Sequence, residues 1–454
     1  MEATKSLAAS LWSELDGPAR LMEHLHFKGR GNLSSSFAVS DFAAATTSVA
    51  ALAMAEWVSL LGNGVPDVCV DRRLCDLWFS KSLRPIGWSI PPQWDPIAGN
   101  YPAADGWIRL HTNAPHHRAA VLKVLDCIAD AATVGNRVSK WSAQALEDAV
   151  IEQGGCAAKM LTQQEWAIHE QGRAVRGERL IARKNDHRST LRPIGSASRP
   201  LQGLRVLDLT RVLAGPVATR FLAGFGANVL RIDSPSWDEP AVLPEVTVGK
   251  RRARLDLHDK SDRLIFEHLL SEADVVVHGY RSDALENLGF GISARKQINP
   301  GLIDIGLDAY GWTGPWAHRR GFDTIVQMST GLAHSETLHF GSDAPKLLPV
   351  QALDFGTGHL VAAAVLRMLS DARQGIEVGS ARLSLARTAL FLSKYLQQEA
   401  LACVPCCNED FDEGIEQTYW GAAHRLRTPF SIDSLSMYWD HPAGPLGDSA
   451  AVFN

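Results

Sequence analysis

Between Arg205 and Asp233 the sequence changes period twice, and this bounds the fold more tightly than any other stretch. Arg205-Val206-Leu207-Asp208-Leu209 is a short apolar run suited to a strand buried on both faces. Gly215-Pro216 opens a helix that runs to Gly224, and Asn228-Val229-Leu230-Arg231-Ile232-Asp233 is a second strand. Strand, helix and strand within about thirty residues make a βαβ unit, which implies parallel strands. Val275-Val276-Val277 and Leu302-Ile303-Asp304-Ile305 continue the pattern, with a helix around Asp283 to Leu288 between them. The expected fold is α/β: a doubly wound, Rossmann-like parallel-sheet domain with a smaller α+β domain.

The large domain is assigned to 201–400. Before it lie an N-terminal segment, 1–98, and a small α+β domain, 99–170, marked by the hairpin turn Asp105-Gly106 and the alternation Trp107-Ile108-Arg109-Leu110-His111. Residues 171–200 are rich in arginine without apolar periodicity and are expected to be a linker; 401–454 form a tail. Forty-five Lys+Arg against fifty Asp+Glu, a net charge of −5, argue against wholesale nucleic-acid binding. Seven cysteines, an odd number, suit a reducing compartment better than a disulfide framework. Met1 to Leu15 carries Glu2, Lys5 and Glu14 and reads as a helix rather than a signal peptide. Phe42 to Gly62 is mostly small residues interrupted by Glu56, so it reads as a buried helix, not a membrane span. A cytoplasmic location is expected.

The chain contains an internal repeat. Asp41 and Asp354, 313 residues apart, each precede Phe, an Ala-rich helix, a glycine turn (Gly62, Gly375), a strand and an apolar helix. This pattern reads as duplication.

Three groups could carry chemistry. The turn Thr210 to Pro216 joins a buried strand to a helix N-terminus, where free N–H groups favour a phosphate-bearing cofactor. No G-x-G-x-x-G accompanies it, which argues against a nicotinamide dehydrogenase; Asp233 would suit a ribose hydroxyl. Lys250-Arg251-Arg252-Ala253-Arg254 is a compact basic group suited to phosphate. Asp354 opens a helix whose dipole would keep a nucleophilic carboxylate ionised, although the same residue could be an N-cap. His359 follows five residues later and need not share its face. Cys403-Val404-Pro405-Cys406-Cys407 is a weak metal signal, and His116-His117 reads as surface.

Leu201 to Pro216 resembles the opening of the class III CoA-transferases, the family of formyl-CoA transferase, carnitine CoA-transferases and 2-methylacyl-CoA racemases. The similarity continues through Leu222 to Val229, Gly249-Lys250-Arg251, Ala284 to Phe290, Asn299 to Ile303, Gly321-Phe322-Asp323 and the helix after Asp354. Gly99-Asn100-Tyr101 with Asp105-Gly106 resembles the family's small domain, and Pro442 to Gly447 its tail. The order departs from the family: a segment like the aspartate helix and the small domain come first, as in a permuted or partly duplicated chain. An arginine seen in some members is Asn287 here, with Arg281 nearby.

The resemblance implies that Asp354 is the nucleophile. It implies transfer of CoA between an acyl-CoA and a small carboxylic acid through an aspartyl anhydride and an aspartyl-CoA thioester. CoA, a substrate rather than a tightly bound cofactor, would lie along Arg211, Leu213, Ala214, Lys250, Arg251, Gly279, Tyr280, Arg281 and Tyr310. No metal, nucleic-acid or membrane partner is implied. Two alternatives stand beside this reading: an acyl-CoA racemase or isomerase pairing Asp354 with a histidine, and a CoA-binding protein without turnover. The N-terminal aspartate-type helix must bury its Ala50-Ala51-Leu52 face against the large domain, in cis as a pseudo-dimer or in trans from a partner, and of the two an intertwined homodimer is expected.

Overall fold

The computed structural model describes residues 2–30, 33–189, 192, 194–196, 198–397 and 404–453. Its largest sheet has seven strands, in the spatial order Lys250–Arg254, Asn228–Asp233, Arg205–Leu209, Val275–His278, Ile303–Asp308, Val378–Ser384 and Ala182–His187. The first six are parallel and the last is antiparallel. Numbered along the chain, the parallel strands stand 3-2-1-4-5-6, the doubly wound arrangement. Val206, Leu207, Val276 and Ile305 are fully buried, because helices cover both faces. The strand order reverses between Arg205–Leu209 and Val275–His278. A crevice opens beyond the carboxyl ends of strands at such a point.

The arginine-rich stretch is more than a linker. It holds the helix Glu170–Gly177 and the antiparallel edge strand Ala182–His187. Arg183 pairs with Asp371, and Arg192 with Asp274 at 2.9 Å. Local charge suggested a solvated connection, but its carboxylate partners lie far away in sequence. The small domain packs the sheet Gly99–Ala103, Gly106–Leu110 and Ala157–Lys159 against three helices around Ile108, Leu110, Val121 and Leu146. In the tail, Gly421–Leu426 pairs with Leu83–Pro85, and Phe430–Ile432 with Val68–Asp71, stitching the C-terminal segment to the N-terminal one.

The helix Ala352–Arg373 is clasped between Val39–Val58 and Ala214–Gly224. A Cβ on Gly356 would lie 2.2 Å from the Phe42 ring, and one on Gly358 would lie 2.4 Å from the Ala214 carbonyl oxygen. Glycine at both positions is what lets the three helices approach. Arg367 pairs with Glu56 across the first contact. Both long helices are apolar and long enough to cross a membrane, and both are largely buried in this fold.

The repeat is visible in the elements. Shifted by 313 residues, the helix starts Val39 and Arg72 fall on Ala352 and Leu385, and the strand end Asp71 falls on Ser384. Asp71 and Ser384 each cap the following helix through their side chains. Ala50, Ala51 and Leu52 are wholly buried within the single chain. The second copy of the repeat covers this face in cis, as the pseudo-dimer alternative has it, and the face leaves no apolar surface for a partner subunit.

Candidate active site

Asp354 is the third residue of its helix, and its backbone N–H donates to Asp323 Oδ2 at 3.0 Å. Asp323 opens the helix Asp323–Ser329 and also accepts from the Gln327 side-chain amide. Both carboxyls are buried. Burial, and then the neighbouring Asp323 carboxylate, push the Asp354 pKa well up. Burial raises that of Asp323 to about 6. The helix dipole was expected to keep Asp354 ionised, but it is worth only about 0.3–1 kcal/mol. Desolvation beside a like charge outweighs it, so the two carboxyls resist ionising together.

Two cavities meet at Asp354. One, of ≈ 260 Å³, lies at the sheet's switch point; the other, of ≈ 350 Å³, lies between the large domain and the small domain's approach segment. They share Val212, Trp237, Phe322 and Asp354. Arg211, Leu213, Ala214, Gly279, Tyr280 and Arg281 all line the first. The Arg211 guanidinium lies 4.4 Å from the Trp237 ring centre and 5.0 Å from that of Tyr280. Arg319 and Arg320 complete a basic wall. Arg211, Arg281 and Arg319 each have a carboxylate nearby, Asp233 at 3.8 Å, Asp283 at 3.9 Å and Glu147, whereas burial and the nearby Arg281 charge lower the Arg320 pKa.

Residues 201–414 match the sequence model of CoA-transferase family III. The match covers just under half of the chain.

The chain is similar to several named transferases. It is 30% identical over 315 residues to an acyl-CoA transferase of Gibberella moniliformis, covering 62% of this chain and 55% of that protein. It is 37% identical over 179 residues to the acetyl-coenzyme A transferase nodX of Hypoxylon pulicicidum, covering 38% and 30%. It is 30% identical over 247 residues to the succinyl-CoA:glutarate CoA-transferase of Mus musculus, covering 51% and 53%. The chain spans about half the length of most of these relatives and less than a third of one.

Three of the residues expected to meet CoA lie elsewhere in the matched region. Lys250 is fully buried; its Nζ donates to Asp208 at 3.0 Å and to the Pro216 carbonyl at 2.9 Å, and burial lowers its pKa to about 8. Arg251 turns to the Ala450 carbonyl at 3.4 Å. Tyr310 is buried with its hydroxyl 2.9 Å from Ser329 Oγ. None of the three lines either cavity. A basic run on a strand alternates faces, so spacing alone could not say which head turns inward. Asp233, considered for a ribose, is held by Arg231 at 2.7 Å inside the fold.

Other residues reach the site that the sequence did not nominate. His116 and His117, expected on the surface, line the basic cavity. His117 is buried with neither ring nitrogen hydrogen-bonded among the described residues, and burial lowers its pKa to about 3. His111 lines the second cavity and stacks on Phe322 with ring centres 3.9 Å apart. Arg109, on the same strand face, donates to Thr324 Oγ1 at 2.9 Å. The Arg109/His111 alternation and the Arg319-Arg320 doublet before Gly321-Phe322-Asp323 were the available signals. Val212, between the cavities, has φ +63°, a strained value for a β-branched residue, and its N–H donates to Glu239 at 2.8 Å. His359 lines neither Asp354 cavity; it sits 3.4 Å from Thr47 Oγ1. Cys403 lies outside the described residues, and among those described no cluster is placed to hold a metal ion.

Proposed function

We propose that the chain transfers CoA between an acyl-CoA and a carboxylic acid, with Asp354 as nucleophile. The supporting observation is the position of Asp354: a buried carboxyl, without an ion-pair partner among the described residues, where a basic cavity meets an apolar one. CoA's phosphates would face Arg211, Arg281 and Arg320, with the pantetheine thiol reaching Asp354. The ionised carboxylate attacks the thioester carbonyl; the C–S bond breaks, leaving a mixed anhydride and CoA thiolate. The thiolate attacks the aspartyl carbonyl, freeing the first acid and leaving an aspartyl-CoA thioester. The acceptor carboxylate then displaces the thiolate to form a second anhydride. Attack by the thiolate on its acyl carbon releases the new acyl-CoA and restores Asp354. Each step exchanges one acyl bond for another.

Mass spectrometry of the protein after incubation with acyl-CoA and borohydride or hydroxylamine trapping tests this: modification confined to Asp354 is expected. Modification elsewhere, or none with any acyl-CoA that turns over, defeats the covalent mechanism. His111, which shares a cavity with Asp354, gives the racemase reading its one support; exchange of the thioester α-proton into deuterated water without acyl transfer would favour it. The buried free thiols of Cys75 and Cys156 fit the reducing, cytoplasmic setting we propose.

A further inference from the structure

The two cavities at Asp354 differ in charge. The switch-point cavity presents Arg211, Arg281, Arg319 and Arg320. The second is walled by Trp94, Pro96, Ala114, Ala241, Val242 and Phe322, and its charged lining residues are all carboxylates. Two of these are already paired: Asp95 with Arg118 at 3.5 Å and Glu239 with Arg231 at 2.6 Å. Asp238, Asp323 and Asp354 have no such partner among the described residues, so the wall repels an anion; Arg109 stands behind it, 4.9 Å from the Trp94 ring centre and hydrogen-bonded to Thr324 and Asn100, without lining the cavity. His111 supplies no positive charge either, since burial lowers its pKa to about 3. At about 30 Å³ per water-sized group, 350 Å³ has room for on the order of ten such groups, far more than an acetyl group fills.

We infer that this second cavity is the acyl subsite and takes an apolar monocarboxylic acyl group of several carbons, in preference to a dicarboxylic one. The inference rests on the CoA-transfer reading above. A second carboxylate here would be desolvated among carboxylates, whereas an alkyl or aryl body would bury apolar surface against tryptophan, phenylalanine and proline.

The test is incorporation of isotopically labelled free CoA into a panel of acyl-CoAs by the full chain, which needs the anhydride half-reaction and no acceptor acid. Hexanoyl- and phenylacetyl-CoA are expected to exchange with kcat/KM at least about 100-fold above succinyl-CoA and above acetyl-CoA by about tenfold. Succinyl-CoA exchanging as fast as hexanoyl-CoA overturns the subsite, as does preference for an acyl group bearing an ammonium. No exchange with any member of the panel defeats the CoA-transfer reading instead. Ala241→Arg, which adds a cation to the wall, should narrow the succinyl deficit about tenfold; an unchanged ratio in the folded variant counts against the subsite. If the variant does not fold, the panel on the unaltered chain decides.

Discussion

Asp41 and Asp354 occupy equivalent places in two copies of one helix–strand–helix unit, and their surroundings are opposite. Asp41 accepts from Arg72 Nε at 3.1 Å and from the Thr4 hydroxyl. At the position equivalent to Arg72, 313 residues on, stands Leu385, which lines the basic cavity. Asp354 instead faces Asp323 and two cavities. One copy has closed its carboxylate into an ion pair; the other has kept its carboxyl unpaired, high in pKa and open to ligand. What separates a structural aspartate from a candidate nucleophile is the first residue of the following helix.

The largest effect should come from removing each carboxylate. Asp354→Asn is expected to lower turnover by at least ~10³ without loss of stability, since the amide is cheaper to bury than an acid beside Asp323. Asp41→Asn should leave turnover per folded molecule within threefold but cost about 2–3 kcal/mol, because Arg72 loses its buried carboxylate. Steady-state rates and urea midpoints measured on both variants decide; a dead Asp41→Asn with an active Asp354→Asn reverses the assignment.

Writing the first copy into the second gives a smaller effect. Leu385→Arg should lower the Asp354 pKa by about 1–3 units and raise the KM for acyl-CoA, because the guanidinium occupies the cavity. A pH–rate profile whose acid limb does not move would mean that Arg72 is not what distinguishes the copies.

The acid limb itself follows from the buried pair. A carboxyl whose pKa is raised is protonated, and not nucleophilic, at lower pH. Turnover should therefore rise with pH as Asp354 loses its proton, with the acid limb lying well above the ordinary carboxylate range. Asp323→Asn should shift the limb downward by relieving the like charge, while Asp41→Asn should leave it in place.

The smallest effect belongs to Thr4→Val. It removes the hydroxyl that donates to Asp41, at about 1 kcal/mol, with no change in rate; a loss of rate would tie the first copy to the chemistry.

The parallel-sheet half was largely legible because it is local: the strands at Arg205–Leu209, Asn228–Asp233, Val275–His278 and Ile303–Asp308 announce themselves by period and turn residues, whereas Lys250–Arg254, read only as a basic group, is a strand as well. The repeat was legible too, since Asp41 and Asp354 open matching patterns. Of the residues nominated for CoA, those that follow the strands Arg205–Leu209 and Val275–His278 reached the cavity, because the strand order reverses there, while Tyr310, after Ile303–Asp308, turns inward to Ser329. Lys250 and Arg251, within or at the start of a strand, did not. Burial of the N-terminal helix was foreseen, and of the two covers considered, the same chain and a partner, the less favoured one supplies it.

Sequence by itself determined the α/β class, the doubly wound half and the aspartate at the head of a helix, because periodicity, turn chemistry and capping act within a few residues. The tertiary structure alone decided which aspartate is paired and which is not. It also brought Trp94 and His111 of the first half to a cavity with Asp323 and Asp354 of the second. Charge, desolvation and cavity shape depend on neighbours hundreds of residues apart along the chain, and no local pattern encodes who those neighbours are.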